Sequence, residues 1–280
     1  MRWSPGGQSD NVEDLRGQTG GGGGRMRLGL GGFVILLILS LIFKQNFFAL
    51  LGGGGLGGGA PATELSPAEK ARQDTLVSFV SFVLDTTQAS WHHMLGNRYH
   101  DAKLVLFRDA IQSACGYAQE ASGPFYCPGD EKVYIDLGFY DELKQRFGAP
   151  GDFAQAYVLA HEIGHHVQKL LGIEPRMRQL QEQHPREANQ LSVALELQAD
   201  CFAGIWGHEA SLENILEPGD VEEGLNAAAA VGDDRIQRMS GSRVNPDAFT
   251  HGSSAQRVQW FKRGMQSGDV KSCDTFGGEL

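Results

Sequence analysis

The run His161-Glu162-Ile163-Gly164-His165 puts two imidazoles and a carboxylate within five residues. On a helix, positions four apart share a face, so His161 and His165 can direct two ring nitrogens at one metal ion. Zinc takes neutral imidazoles in tetrahedral geometry, and a catalytic site keeps one position for water. Glu162 stands beside the first ligand, placed to accept a proton once the metal has lowered the water's pKa to about 7. One protein ligand is still needed. The segment "ELQAD" offers Glu196 and Asp200, four apart and flanked by Leu195, Ala199, Phe202 and Trp206. Glu196 completes a His₂Glu set, and Asp200 is the carboxylate that orients a ligand histidine from behind. Glu187 competes for the third place, but it falls at a helix start, where the helix dipole already accounts for an acidic residue.

The competing reading is an ordinary buried helix with two satisfied histidines. Its neighbours Phe153, Tyr157, Val158, Leu159, Ile163 and Val167 bury most sides of that helix, where unpartnered imidazoles are costly. Gly164 costs about 1 kcal/mol against alanine, which implies that something passes close to the backbone. His166 is turned away around the helix and is excluded as a ligand. Tyr157 reads as core, and His92, His93, His100, His184 and His208 as structural.

These side chains need two long helices to hold them. "GDFAQAYVLAHEIGHHVQKLLG" is one, with Asp152 as N-cap and Gly172 as its stop. "REANQLSVALELQADCFAGIWGHEA" is the other. A third begins at Ser66 as N-cap, with Pro67 at N1 and Glu69 at N3, and its apolar positions Val77, Val80, Val83 and Leu84 recur at helical spacing. "DELKQRF", "DVEEGLNAAAAVGDDRIQ" and "SSAQRVQWFKRGM" add shorter helices. "KLVLFRD" and "KVYIDLGFY" read as strands, and "KVYIDL" offers an edge on which an extended peptide could add as a further strand. Few strands, several helices and no regular β-α alternation predict a mostly helical α+β domain over residues 64–280.

What precedes that domain is different in kind. The chain has 280 residues and 38 glycines, and the glycines crowd the first sixty positions, where low-complexity sequence cannot bury a core. Residues 1–27 read as a Gly-rich tail and 52–63 as a linker. Between them, 28–51 is apolar on every side and uncharged from Leu28 to Phe43, which predicts a single transmembrane helix. A cleaved signal peptide fits less well, because "APA" at Ala60–Ala62 lies too far downstream. Arg16, Arg25 and Arg27 precede the segment, so the N-terminus is expected in the cytoplasm and the catalytic domain exported across the inner membrane, in the periplasm or its equivalent. Cys115, Cys127, Cys201 and Cys273 all fall in that domain, where disulfides would persist. Cys115 and Cys127 suit a short-loop bridge, and Cys201 with Cys273 would pin the tail to a helix. Three connectivities remain open. The formal net charge of −10 argues against nucleic acid as a partner.

"HEIGHHVQ", "LELQADCFAGIW", "FTHGSSAQRVQWF" and the opening "MRW…SDNVEDLRG" together resemble the YpfJ-type neutral zinc metallopeptidases, almost end to end. More distantly, the chain is similar to the gluzincins, including thermolysin and the HtpX-type membrane proteases. The resemblance implies a zincin-like domain that acts on a peptide or protein substrate. It places zinc on His161, His165 and Glu196, the base at Glu162 and the orienting carboxylate at Asp200. The "THGSS…R" stretch is similar to a Thr-His-Pro…Arg segment of the HtpX-type enzymes, with Gly252 where their proline stands. Within that resemblance His251 and Arg257 are further catalytic candidates: His251 as a donor to the oxyanion, Arg257 as that or as a partner of Glu196 or a loop carboxylate. A zinc-stabilised binding or assembly module without turnover is the alternative. Glu162 argues against it, since a purely structural site has no use for a base.

Overall fold

The computed structural model describes residues 1–17, 66–108, 110–119 and 123–277. Two runs of branched and aromatic residues build the centre of the main sheet. Strand β2 (Lys103–Phe107) and strand β6 (Lys132–Asp136) pair in parallel, with Leu104 opposite Val133 and Leu106 opposite Ile135. Both faces of this pair are covered, as parallel strands require. Leu104, Leu106, Val133 and Ile135 face the main core, while Val105, Phe107 and Tyr134 join a smaller cluster with Cys127. The strand order is β1-β2-β6-β5. Strand β1 (Val12–Asp14) lies parallel to β2, and β5 (Phe125–Cys127) antiparallel to β6. Between β2 and β5 a separate hairpin, β3 (Ala110–Ser113) and β4 (Gly116–Gln119), stands apart from the sheet. The "KVYIDL" strand is therefore interior, and the edges of the sheet are β1 and β5. The helix expected further on starts early: "GFY" enters α2 (Gly138–Gln145) instead of extending β6.

Helix α1 (Pro67–Leu95) starts as its residues predict, with Ser66 Oγ accepting the Glu69 N–H. Its Val77, Val80, Val83, Leu84 and Trp91 are buried in the core. Helix α3 (Asp152–Leu170) is buried along most of its length, α4 (Ile173–Gln183) follows it directly, and α5 (Ala188–Leu212) packs across it. Asp152 lies inside the first turn of α3, and Gly151 takes the cap position. The segment expected as one helix after Pro218 is two, α6 (Asp220–Ala230) and α7 (Asp233–Met239), because Gly232 between them is extended. Helix α8 (Ser254–Ser267) opens on a capping box built by Ser253 and Gln256. It packs so closely on α5 that a side chain at Gly204 or Gly264 would run into the opposite backbone. Disulfides join Cys115 to Cys127 and Cys201 to Cys273.

The N-terminal expectations need correction. Met1–Gly17 form one compact unit with Ala71–Leu280, and Gln18–Lys70 form a second. The opening residues are thus not a free tail, for β1 extends the sheet. Residues 28–51, where a transmembrane helix is expected, and the linker at 52–63 lie outside the described residues. Among the described residues no helix is long and apolar enough to cross a membrane. The described residues form a mostly helical α+β fold with no such helix among them. The single-pass inner-membrane placement with an exported domain is overturned for a topological reason as well. β1 precedes residues 28–51 and β2 follows them, yet the two strands are hydrogen-bonded neighbours. One crossing between them would put them on opposite sides of the bilayer.

Candidate metal centre

Helices α3 and α5 meet at Gly164. A Cβ there would stand 3.0 Å from the carbonyl oxygen of Ala199 and 3.2 Å from its Cα, so the backbone approach inferred from this glycine is that of α5. The contact falls between His161 and His165 on one helix and between Glu196 and Asp200 on the other, bringing all four groups together. His161 Nε2 lies 3.2 Å from Glu196 Oε2, and His165 Nε2 lies 3.4 Å from Glu196 Oε1. Donor atoms on a tetrahedral zinc, with bonds of about 2.0–2.1 Å, stand about 3.3 Å apart. The three ligand atoms lie within 4.8 Å of one another, so the residues fit a zinc ion by number, type and spacing. Glu187 does not join them: it is exposed, at the N-cap of α5.

Behind His161 is a buried polar cluster. Asp200 Oδ1 faces His161 Nδ1 at 2.9 Å and accepts the Tyr157 hydroxyl at 2.5 Å. Arg257 closes on both Asp200 oxygens, Nε to Oδ2 at 2.8 Å and Nη2 to Oδ1 at 2.9 Å, and also donates to the Tyr157 oxygen and the Val231 carbonyl. A carboxylate at Nδ1 keeps a proton there and leaves Nε2, which faces Glu196, as the nitrogen that can bind a metal. Arg257 therefore grips Asp200 rather than Glu196 or a loop carboxylate, and at 4 % exposure it lies buried behind His161. Tyr157, read from the sequence as core, is buried and also hydrogen-bonded within this cluster. Its place one turn before His161 was the available signal.

The field of the site favours positive charge. Burial opposes an imidazolium at His161, but Asp200 and Glu196 outweigh it and push the ring up to about 10. His165 is raised too, with burial again opposing and Glu196 prevailing. Against its own burial, Glu196 is held well below the usual carboxylate range by the two imidazoles. Asp200, also buried, is lowered first by Arg257 and then by His161. A divalent cation meets the same demand.

The centre opens into a cleft of about 610 Å³. Glu162 borders it beside the ligands, with Phe125 and Tyr126 of β5 on one wall and Phe139, Phe147, Val158 and Ile236 contributing apolar surface. His251 borders it as well, half exposed. Asp233 holds its loop in place, one oxygen accepting the N–H groups of Thr250, His251 and Gly252 and the other standing 3.2 Å from His251 Nδ1. That hydrogen bond raises the His251 pKa, burial opposes, and Glu196 adds to the rise. Asp233 was not visible as a functional residue in the sequence, because its partner lies eighteen positions on, beyond a helix and a loop.

Two helices crossing at a glycine converge two histidines and a glutamate on an open cleft, a candidate metal centre of the His-Glu-x-x-His kind. The chain belongs to the neutral zinc metallopeptidase family: the family described as "Putative neutral zinc metallopeptidase" matches residues 1–276. The chain is 49% identical over 288 residues to the uncharacterized protein YpfJ of Escherichia coli K12, covering 99% of each. It is 44% identical over 203 residues to the uncharacterized protein Rv2575 of Mycobacterium tuberculosis, covering 69% of this chain and 68% of that one. No solved structure matches. The resemblance read from the four sequence motifs is borne out, and the family implies zinc as the metal.

Proposed function

We propose that the protein is a zinc-dependent endopeptidase, with His161, His165 and Glu196 holding the metal and Glu162 acting as general base. The observation that carries this reading is the open donor set. Among the described residues the cluster has three members and faces a cleft shared with Glu162, whereas a structural zinc site is closed by a fourth protein ligand. When bound, zinc polarises a carbonyl and lowers the pKa of a water to about 7. Glu162 takes the proton from the attacking water and delivers it to the leaving amine. His251, braced at Nδ1 by Asp233, turns Nε2 toward the cleft and donates to the carbonyl oxygen as negative charge develops there. The free edge of β5 supplies backbone groups with which an extended peptide can pair, and Tyr126 on that strand already borders the cleft.

Glu162→Gln tests the assignment. The variant is expected to keep its fold and its zinc while cleavage of an unfolded protein substrate falls by about 10²–10⁴-fold. Equal cleavage by variant and wild type would remove the enzymatic reading.

A further inference from the structure

Where Asp200 stands behind His161, a glutamine stands behind His165. His165 Nδ1 lies 2.8 Å from Gln168 Oε1, and Gln168 is completely buried. The Gln168 amide nitrogen donates to the Leu195 carbonyl at 2.7 Å and to Gln198 Oε1 at 3.1 Å. Gln198 in turn donates through Nε2 to the Cys273 carbonyl at 3.0 Å. Two of these partners are backbone carbonyls, which only accept, and they settle the orientation of every amide in the chain. Gln198 must turn its NH₂ to Cys273, leaving Oε1 for Gln168. Gln168 must turn its NH₂ to Leu195 and Gln198, leaving Oε1 for His165. His165 Nδ1 must then carry a proton, which leaves Nε2, the nitrogen facing Glu196, as the one that can bind a metal.

The far end of this chain is tied down covalently. Cys273 is bonded to Cys201 of α5, Thr275 Oγ1 donates to the Ala194 carbonyl at 2.7 Å, and Phe276 packs with Met177 and Leu195. The C-terminal segment thus lies clamped along the helix that also carries Glu196.

We propose that Gln168 and Gln198 are positioning residues that fix the tautomer and direction of His165, anchored on a C-terminal segment held to α5 by the Cys201–Cys273 disulfide. The inference rests on the zinc reading above and adds residues that touch neither metal nor substrate. Outer partners of ligand histidines typically contribute 10–100-fold in metal affinity. A zinc site that depends on a disulfide some residues away is the consequence: losing that bond frees Cys273, Gln198 loses its acceptor, and Gln168 is free to rotate.

The full chain is loaded with zinc in competition with a fluorescent chelator, and separately with cobalt(II), whose visible absorption reports ligand geometry. Gln168→Leu is expected to weaken zinc binding by about 10–100-fold and to change the cobalt spectrum. Gln198→Leu, which keeps both cysteines and all three ligands, is expected to weaken it in the same direction, as is Cys201→Ser with Cys273→Ser. Cys115→Ser with Cys127→Ser is expected to bind like wild type. Wild-type affinity and an unchanged spectrum in Gln168→Leu or in Gln198→Leu overturn the relay, and so does an equal loss in the Cys115/Cys127 pair. If the Cys201/Cys273 pair does not fold, Gln198→Leu decides. A wild-type chain that binds no zinc defeats the metal reading itself, a separate failure.

Discussion

Asp200 receives four donors: the Tyr157 hydroxyl, His161 Nδ1, and Nε and Nη2 of Arg257. Three of them fall on Oδ1 and one on Oδ2, and together they offset a fully buried charge. His251 is held differently, by one carboxylate on an exposed loop, and it can titrate. Asp233 and Glu196 favour its proton, while burial and Arg257 oppose it. The net shift is upward, so the ring stays protonated to higher pH than a free histidine. A donor that needs that proton works below its raised pKa and fails as pH climbs through it. Asp233→Asn removes the largest support. The alkaline limb of the kcat/KM profile for peptide cleavage is therefore expected to move to lower pH in that variant. An unmoved limb would show that another group sets it and would detach His251 from the reaction.

At the scale of elements, the site depends on how close α3 and α5 come. Gly164→Ala would set a methyl 3.0 Å from the Ala199 carbonyl oxygen, and backbone atoms of two packed helices cannot give way singly. Overpacking of this kind costs about 1–3 kcal/mol. The strain would act on the pair of helices that spaces Glu196 from the histidines, so the variant is expected to lose zinc affinity as well as denaturant stability. Retained affinity at reduced stability would mean that the donors adjust independently of the crossing. This crossing was legible beforehand because its signals are local: two long apolar periodicities, ligands at helical spacing, and a glycine with no other reason to be mid-helix. The strands outside β2 and β6 were not. β1 and β5 have three residues each, too few for a period, and their pairing partners lie elsewhere in the chain. Asp233 was hidden for the same reason, and Gln168, one turn after His165, was within reach of the same helical reasoning that found Asp200.

At the scale of the whole molecule, the first seventeen residues belong to the domain that carries the site. Val12 is buried, Glu13 pairs with Lys132 of β6, Ser9 bonds Asp85 of α1, and Arg16 reaches Gln73 and Asp74. These contacts are made before residues 18–70 and close onto elements after them. They also cover the outer edge of β2, whose Leu104 and Leu106 are fully buried. Removing residues 1–17 would leave that edge unpaired, an invitation to association between chains. A loss of a few kcal/mol corresponds to about 2–4 °C in Tm for each kcal/mol in a domain of this size. The truncated chain is expected to melt earlier by roughly 5–10 °C and to self-associate. The zinc ligands lie on α3 and α5 and take no partner from residues 1–17 among the described contacts, so the folded fraction should bind zinc as before. A truncation that melts like the intact chain would mean that β1 rests on the sheet without holding it, and the opening residues would be a tail after all.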